Sequence, residues 1–403
     1  MNPAYLRLSS VSFLYWFGTA ACSYFTVLLQ KNGYSPAQAG AINALNSAIT
    51  IVATPFWGMM ADKFRSIRSV LLGTMCIGIP LWVLTPVSLK IFLGPVALLF
   101  IMVPVGCFFR NPHPSLVDAY VVQRCARDNQ TYGYVRLWGS ISYTIASLGF
   151  FFILPHTGVE FAFYAYGVLC LPFILLMWNS RDPDAGAAGL PQTGPRKALT
   201  FRQMGFGRLF KNYYFITFLF FALFIYLPNT TSNAFMPYLM ESVGGESARY
   251  GLITGFKALL EVPSLLLMRS LRKYFPLPVM LAGAAIFYST EALLYANASS
   301  MTHIVLIQIF QGLGGGLLIG SSANYLYSLS PPELTSTAQT MNGALGASAA
   351  IIGNLVGGFL IVLVGIRRFY LIISGALLFA LIFFAFTLFF GIKILNKKLP
   401  PAR

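Results

Sequence analysis

An all-α membrane protein of twelve transmembrane helices in two six-helix halves is the fold class this chain predicts. Apolar residues make up 57% of it and charged residues only 9%. Apolar stretches of span length recur along the chain, and one long polar segment divides them six from six. An ordinary soluble domain carries about 25% charged residues, and water could not cover so much apolar surface. At 403 residues the length suits about twelve spans of ~20 residues with short connections.

The first six spans are expected at 8–30, 37–60, 67–88, 92–122, 132–154 and 158–178. The second six are expected at 211–238, 248–269, 277–296, 302–328, 335–364 and 369–392. Residues 1–178 then form an N-terminal half, 179–210 a cytoplasmic linker, and 211–403 a C-terminal half. The linker contains NSRDPDAGAAGLPQTGPRKALTFRQMGFGR (179–208), too polar and too rich in Gly and Pro to enter hydrocarbon. The first apolar run is of span length and is read as a span, not as a cleaved signal.

A net charge of +16 could suggest nucleic acid, but the basic residues sit in short loops between apolar spans. One side carries Arg7, Lys63, Arg65, Arg68, Arg124, Arg127, Arg181, Arg196, Lys197, Arg202, Arg208, Lys211, Arg269, Arg272, Lys273, Lys393, Lys397, Lys398 and Arg403. The other has only Lys31, Lys90, Arg249, Arg367 and Arg368. Lysine and arginine stay on the cytoplasmic side, so both termini and the linker are expected there, in a multi-pass protein of the cell inner membrane. No nucleic-acid partner is expected.

Cys22, Cys76, Cys107, Cys125 and Cys170 show no ligand spacing and read as buried small side chains. His113, His156 and His303 are scattered. No metal, cofactor or catalytic cluster is expected, and no phosphate-cradling loop with lysine occurs. The chain is not expected to be an enzyme.

The stretch PFWGMMADKFRSIRSVLL (55–72) ends the second span and opens the third. Gly58 and Asp62 lie one turn apart on one face, where glycine allows another backbone close. Asp62 could accept from a neighbouring helix N-terminus, with Lys63, Arg65 and Arg68 at headgroup level, where they also serve as a positive anchor. This loop, with six spans either side of a basic linker, resembles the major facilitator superfamily. The resemblance implies a solute site near the midplane between two rocking halves. It also implies a gating role for Gly58, Asp62, Lys63 and Arg68. Where the family places a glycine after the basic pair, this chain has Arg65. The matching loop of the second half, MRSLRKYF (268–275), keeps the basic charges but lacks the acid.

A charge at mid-bilayer costs roughly 2.5–3.5 kcal/mol on insertion scales, so each needs a partner or a function. Those inside spans are Arg110, Asp118, Arg136, Lys257, Glu261 and Glu291. Asp118 in PSLVDAYVV and Arg136 in YGYVRLWGSISY lie on antiparallel neighbours at similar depth, and their contact is geometrically easy. The pair could simply pin the two helices. These segments resemble the lactose permease branch of the superfamily, whose relatives include phenylpropionate and nucleoside permeases. The resemblance implies that Asp118 and Arg136 hydrogen-bond the solute, that Tyr143 stacks on it, and that Ser140 lines the same face. Arg110, beside Pro112 and Pro114, either lines the cavity or satisfies carbonyls freed by the prolines.

Lys257 and Glu261 are four apart and are expected to pair along their helix. A glutamate in this span is common in the family, which makes Glu261 the first candidate for proton coupling. Glu291 is expected nearer the outer end of its span, where its charge reaches the interface more cheaply. The chain departs from the sugar permease in two places: Gln311 stands near the family's histidine, and Asn229 and Asn233 stand where it has acids. Coupling would then fall to Glu261, Asp118 or Glu291, with Lys257 beside them.

Further polar stripes are Asn43, Asn46 and Ser47; Gln308 and Gln311; and Gln339, Asn342 and Gly346. Such stripes face the interior of a bundle, either as glue or around a hydrated cavity. GNLVGG (353–358) and QGLGGG (311–316) read as close-packing segments. The aromatic run of spans six and seven reads as lipid-facing bulk, with Tyr226 as a cavity aromatic. The expected function is proton-coupled symport of a small polar organic solute such as a sugar or oligosaccharide by alternating access. Alternatives are uptake of an aromatic acid or nucleoside, an exporter on the same fold, or a passive channel. Expected partners are the solute, protons and the lipid bilayer, with the chain acting as a monomer.

Overall fold

The computed structural model describes residues 3–93, 96–180, 209–331 and 334–396. The central expected linker therefore lies almost wholly outside the described residues, as do Lys397, Lys398 and Arg403.

The chain crosses first through α1 (Pro3–Thr19), a 3-10 turn and α2 (Phe25–Lys31). It returns through α3 (Pro36–Lys63). The Ser35 hydroxyl accepts from the Gln38 amide while the Gln38 side chain accepts from Ser35, a reciprocal cap that fixes where α3 starts. α4 (Ile67–Val83) and the short α5 (Thr85–Ser88) form the third crossing. A small hairpin, β1 (Phe92–Leu93) with β2 (Val96–Ala97), precedes the fourth. That crossing, expected at 92–122, is broken at its prolines. It is α6 (Leu99–Arg110) and α7 (His113–Arg127), parted at Asn111–Pro112. Pro112 and Pro114 lack amide hydrogens, so the ladder cannot run through them.

α8 (Tyr132–Thr157) and α9 (Glu160–Trp178) complete the first six crossings. The second six begin with α10 (Tyr213–Ala234) and α11 (Met236–Ser242), broken at Phe235 just ahead of Pro237. They continue through α12 (Tyr250–Leu271), α13 (Leu277–Ala296), α14 (Met301–Leu329), α15 (Thr335–Val364) and α16 (Ile366–Lys393). Among the described residues, nine helical segments are long and apolar enough to cross a membrane. Of the other crossings, α4 is short, α6–α7 is broken and α12 carries Lys257 and Glu261.

Buried apolar side chains gather into two clusters, one from residues 8–177 with Ala248 and the other from residues 209–384. The aromatics expected to face lipid partly overturn that reading: Phe163, Phe173, Phe215, Phe218 and Phe221 are fully buried. Phe221 stacks on Phe384 with ring centroids 4.0 Å apart. A flat ring buries much area at low entropic cost, so aromatics fill the core as readily as they meet lipid. Cys76 is exposed, against the expectation of burial, while Cys107, Cys125 and Cys170 are buried.

Two helix pairs join the clusters: α3 against α15, and α8 against α12. Glycine makes both approaches possible. A Cβ at Gly358 would strike the Pro36 carbonyl and Ala37, and one at Gly251 would strike the Ser147 carbonyl and Phe151 amide. These contacts sit at the end of the bundle reached by Lys31, the distal end. There Gln30 donates to the Pro237 carbonyl (3.1 Å), Tyr238 to the Tyr34 carbonyl (2.8 Å), and Lys31 lies 3.9 Å from Glu241. The proximal end of α3 is open. A Cβ at Gly58 would meet nothing within 4 Å, and Asp62, Lys63 and Arg65 are exposed.

Replacing Gly251 by leucine should wedge α8 from α12, because backbone atoms cannot yield as a flexible side chain can. Overpacking of this kind costs about 1–3 kcal/mol. The expected result is a lower melting temperature in detergent together with faster labelling of a cysteine placed at Tyr34; unchanged labelling would mean that the distal contact is loose already.

Candidate functional site

One face of α8 carries Arg136, Ser140 and Tyr143, spaced so that they stack along the helix. The Arg136 Nε lies 3.8 Å from Asp118 Oδ1 on α7, with the two side chains 30% and 38% exposed. At that distance the pair is a contact between charges and not a hydrogen bond. A pair built to pin two helices would be forked and closed. This one leaves donor edges of the guanidinium free. Arg136 lies over the Trp16 ring, 4.0 Å from its centroid, and reaches Ser140 at 3.5 Å. The Tyr132 hydroxyl lies close to both members of the pair. Gly139 makes room for this: a Cβ there would run into the Trp16 ring.

Two turns along, the Tyr143 hydroxyl bonds Ser23 at 2.6 Å and reaches Thr254 on α12. Tyr143 thus packs on the first cluster and lies beside α12. Ser23 and Thr26 then line a cavity of about 370 Å³ with Asn229, Asn233 and Lys257 from the second cluster. The cavity is polar on both walls, and a volume of this order suits a small organic molecule.

Behind it lies a chain of hydrogen bonds. The Lys257 ammonium donates to Asn233 Oδ1 at 3.1 Å. Gln311, with its amide oriented to satisfy both ends, accepts from Lys257 at 3.2 Å and from Asn233 at 3.3 Å. It donates to Glu291 at 2.6 and 3.1 Å. Glu291 also meets the Tyr295 hydroxyl, which accepts from Gln308 at 2.6 Å.

This overturns two expectations. Lys257 makes no ion pair with Glu261 among the described residues; its partners come from α10 and α14. A lysine stem is long enough to choose between its own helix and its neighbours, and the buried neighbours offer fixed acceptors. Glu291 does not reach the interface: it is 5% exposed and bonded inward. Glu261 lies near Gly315 of α14 and within electrostatic reach of Tyr143.

Other polar stripes act as glue. Asn43 donates to Thr26 (3.1 Å), Asn111 to Asn46 (2.7 Å), and Gln339 to the Ala323 carbonyl (2.8 Å). Tyr226 is tied to Asn342 at 3.0 Å and is not among the residues lining the 370 Å³ cavity. Sequence reasoning missed Trp16, Ser23, Tyr250, Tyr295 and Asn354, which have no charge or motif to mark them.

Residues 5–372 match the family model described as the MFS_1 like family. The chain belongs to that family. It is a transporter of the major facilitator fold and a multi-pass membrane protein. The maltose permease of Geobacillus stearothermophilus is 26% identical over 339 residues, covering 83% of this chain and 82% of that one. The uncharacterized transporter YwbF of Bacillus subtilis (strain 168) is 24% identical, covering 86% and 83%. Among solved structures, the nucleoside transporter NupG superposes with a TM-score of 0.79 at 16% identity, over 96% of this chain and 99% of that one. A D-xylose–proton symporter does so with a TM-score of 0.66 at 13% identity, over 94% and 96%.

The loop motif of this transporter is split. Arg68 donates to the Met177 and Trp178 carbonyls at 2.6 and 2.7 Å, capping the end of α9. Asp62 accepts no side-chain hydrogen bond among the described residues, and Gly58 meets no backbone. The expected closure by these two is not made among the described residues. Arg65 has φ 51°, the left-handed turn for which the family uses glycine.

The Lys257–Gln311–Glu291 chain should behave as a unit. Glu291→Gln and Lys257→Met should each lower stability, and the double variant should lose less than the sum. A coupling of about 0.5–3 kcal/mol is expected in a double-mutant cycle of thermal unfolding; strict additivity would mean that the two groups do not communicate.

Proposed function

We propose that this chain is a proton-coupled symporter that imports a small polar organic solute, such as a sugar or oligosaccharide, by alternating access. The solute binds between Asp118, Arg136, Ser140 and Tyr143 on one wall and Asn229, Asn233 and Gln311 on the other. The observation that carries the reading is the 370 Å³ cavity, where Ser23 and Thr26 face Asn229, Asn233 and Lys257, with Tyr143 of the Arg136 face bonded to Ser23. The kinship with a maltose permease supports the sugar class. Residues 1–178 and 211–403 act as two rocking halves about the linker 179–210, in the cell inner membrane, with both termini in the cytoplasm. The proximal end then faces the cytoplasm, the clusters are closed outward and open inward, and Asp62 and Gly58 engage when the cycle reverses.

Among the carboxylates, the geometry favours Glu291 over Glu261 for coupling. Ionised, Glu291 holds Gln311, which in turn ties up Lys257 and Asn233 at the cavity wall. A proton on Glu291 removes its charge and weakens its hold on the Gln311 amide, which loosens Lys257 and Asn233 to meet the solute in the cavity. Solute binding and proton binding thereby favour each other, which is the requirement for symport.

In proteoliposomes, an inward proton gradient should drive accumulation of labelled maltose or another accepted sugar. Asp118→Ala and Arg136→Ala should abolish both accumulation and exchange while the protein still inserts. Glu291→Gln should abolish gradient-driven accumulation but keep solute exchange. Accumulation by Glu291→Gln at the wild-type level would remove Glu291 from the coupling step, and normal uptake by both pair variants would remove the solute site.

A further inference from the structure

A second cavity, of about 220 Å³, lies within the first cluster and has a cation on its wall. Tyr15, Trp16 and Tyr166 give it aromatic sides, Thr19 and Thr50 give it hydroxyls, and Arg110 gives it its charge. Arg110 ends α6 at the break before Pro112, so the backbone there presents it from the middle of a crossing. Its guanidinium lies 3.9 Å from the centre of the Trp82 ring. It donates to Asn111 Oδ1 at 2.8 Å, with Cys22 and Cys107 nearby.

None of these neighbours carries a negative charge. No carboxylate among the described residues lies within ion-pair distance of Arg110, and its buried Nε has no hydrogen-bond partner. The C-terminal end of α6 answers at most about half a unit of charge. Asn111 is already committed, donating to Asn46 and Thr50 at 2.7 and 2.6 Å. Arg136 differs, since it has Asp118. A guanidinium at this depth, half answered and facing a half-open cavity, is arranged to receive an anion.

The shape narrows the anion. The space is too small for a disaccharide, and its aromatic sides suit one flat or puckered six-membered ring. A planar guanidinium fork matches a carboxylate. Trp16 stands between this cavity and the Arg136 face, so a ligand held here adjoins the proposed solute path. We propose that this cavity is a carboxylate site, which takes a single-ring organic monoanion with its carboxylate on Arg110 and its ring against Trp16 and Tyr166. That such a ligand is also cargo rests on the function proposed above; that it binds does not.

The test uses the purified full chain in detergent at fixed ionic strength. Melting temperature and affinity are compared for glucuronate against glucose, benzoate against benzamide, and chloride. At least one carboxylate should stabilise the protein well beyond its neutral counterpart. Arg110→Gln should weaken that carboxylate by about tenfold or more, and Arg110→Lys, which keeps the charge but loses the fork, by a smaller factor. Equal shifts for each acid and its neutral counterpart overturn the proposal on the wild type alone, even if neither variant folds. So does wild-type carboxylate affinity in Arg110→Gln, or an equal shift with chloride. Loss of the carboxylate preference with gradient-driven sugar uptake intact would sink this site and leave the transport reading standing. Carboxylate binding without any gradient-driven uptake would do the reverse.

Discussion

The constraint on which the rest of this structure depends is that a charge inside an apolar bundle must be answered. Only a few ionisable groups enter the crossings, and the fold treats each differently. Asp118 and Arg136 answer each other across α7 and α8, loosely and half in the open. Lys257 and Glu291 answer each other at one remove, through the amide of Gln311. Arg110 is answered by a ring, an amide and sulfurs, none of them charged. In water such differences would matter little; at low dielectric they decide which groups are settled and which still need a partner.

Much of the architecture was legible because hydrocarbon imposes a simple rule on composition. Span positions followed from apolar windows. The broken fourth crossing followed from Pro112 and Pro114, although its two pieces and the preceding hairpin did not. The family could be read from PFWGMMADKF and from the spacing of Asp118 and Arg136. The site was less legible. Lys257 and Glu261 satisfy every local criterion for a pair, and a one-dimensional reading cannot see that Asn233 and Gln311 lie closer. Glu291 looked cheap to expose because sequence position suggests depth but not which way a side chain points. Trp16 and Trp82 were invisible for a further reason: a tryptophan beneath a guanidinium has no signature apart from a tryptophan in a core.

Glycine decides where the two clusters can touch. Gly40 and Gly358 let α3 meet α15, and Gly251 and Gly255 let α8 meet α12. All four lie toward the distal end, and no comparable approach exists at Gly58. Close glycine contacts at one end give a lever, and Ser23, Thr26, Asn229, Asn233 and Lys257 line the cavity between the clusters. A cleft lined this way serves transport only if the closed and open ends exchange.

Distances between spin labels at the two ends test that exchange most directly. One pair placed at Lys31 and Glu241 reports the distal end, and another at Lys63 and Lys273 reports the proximal end. In bilayers, changing solute and pH should lengthen the first distance and shorten the second within the same population. If both distances stay fixed under every condition, or change in the same direction, the two clusters do not rock about a central site and the account fails.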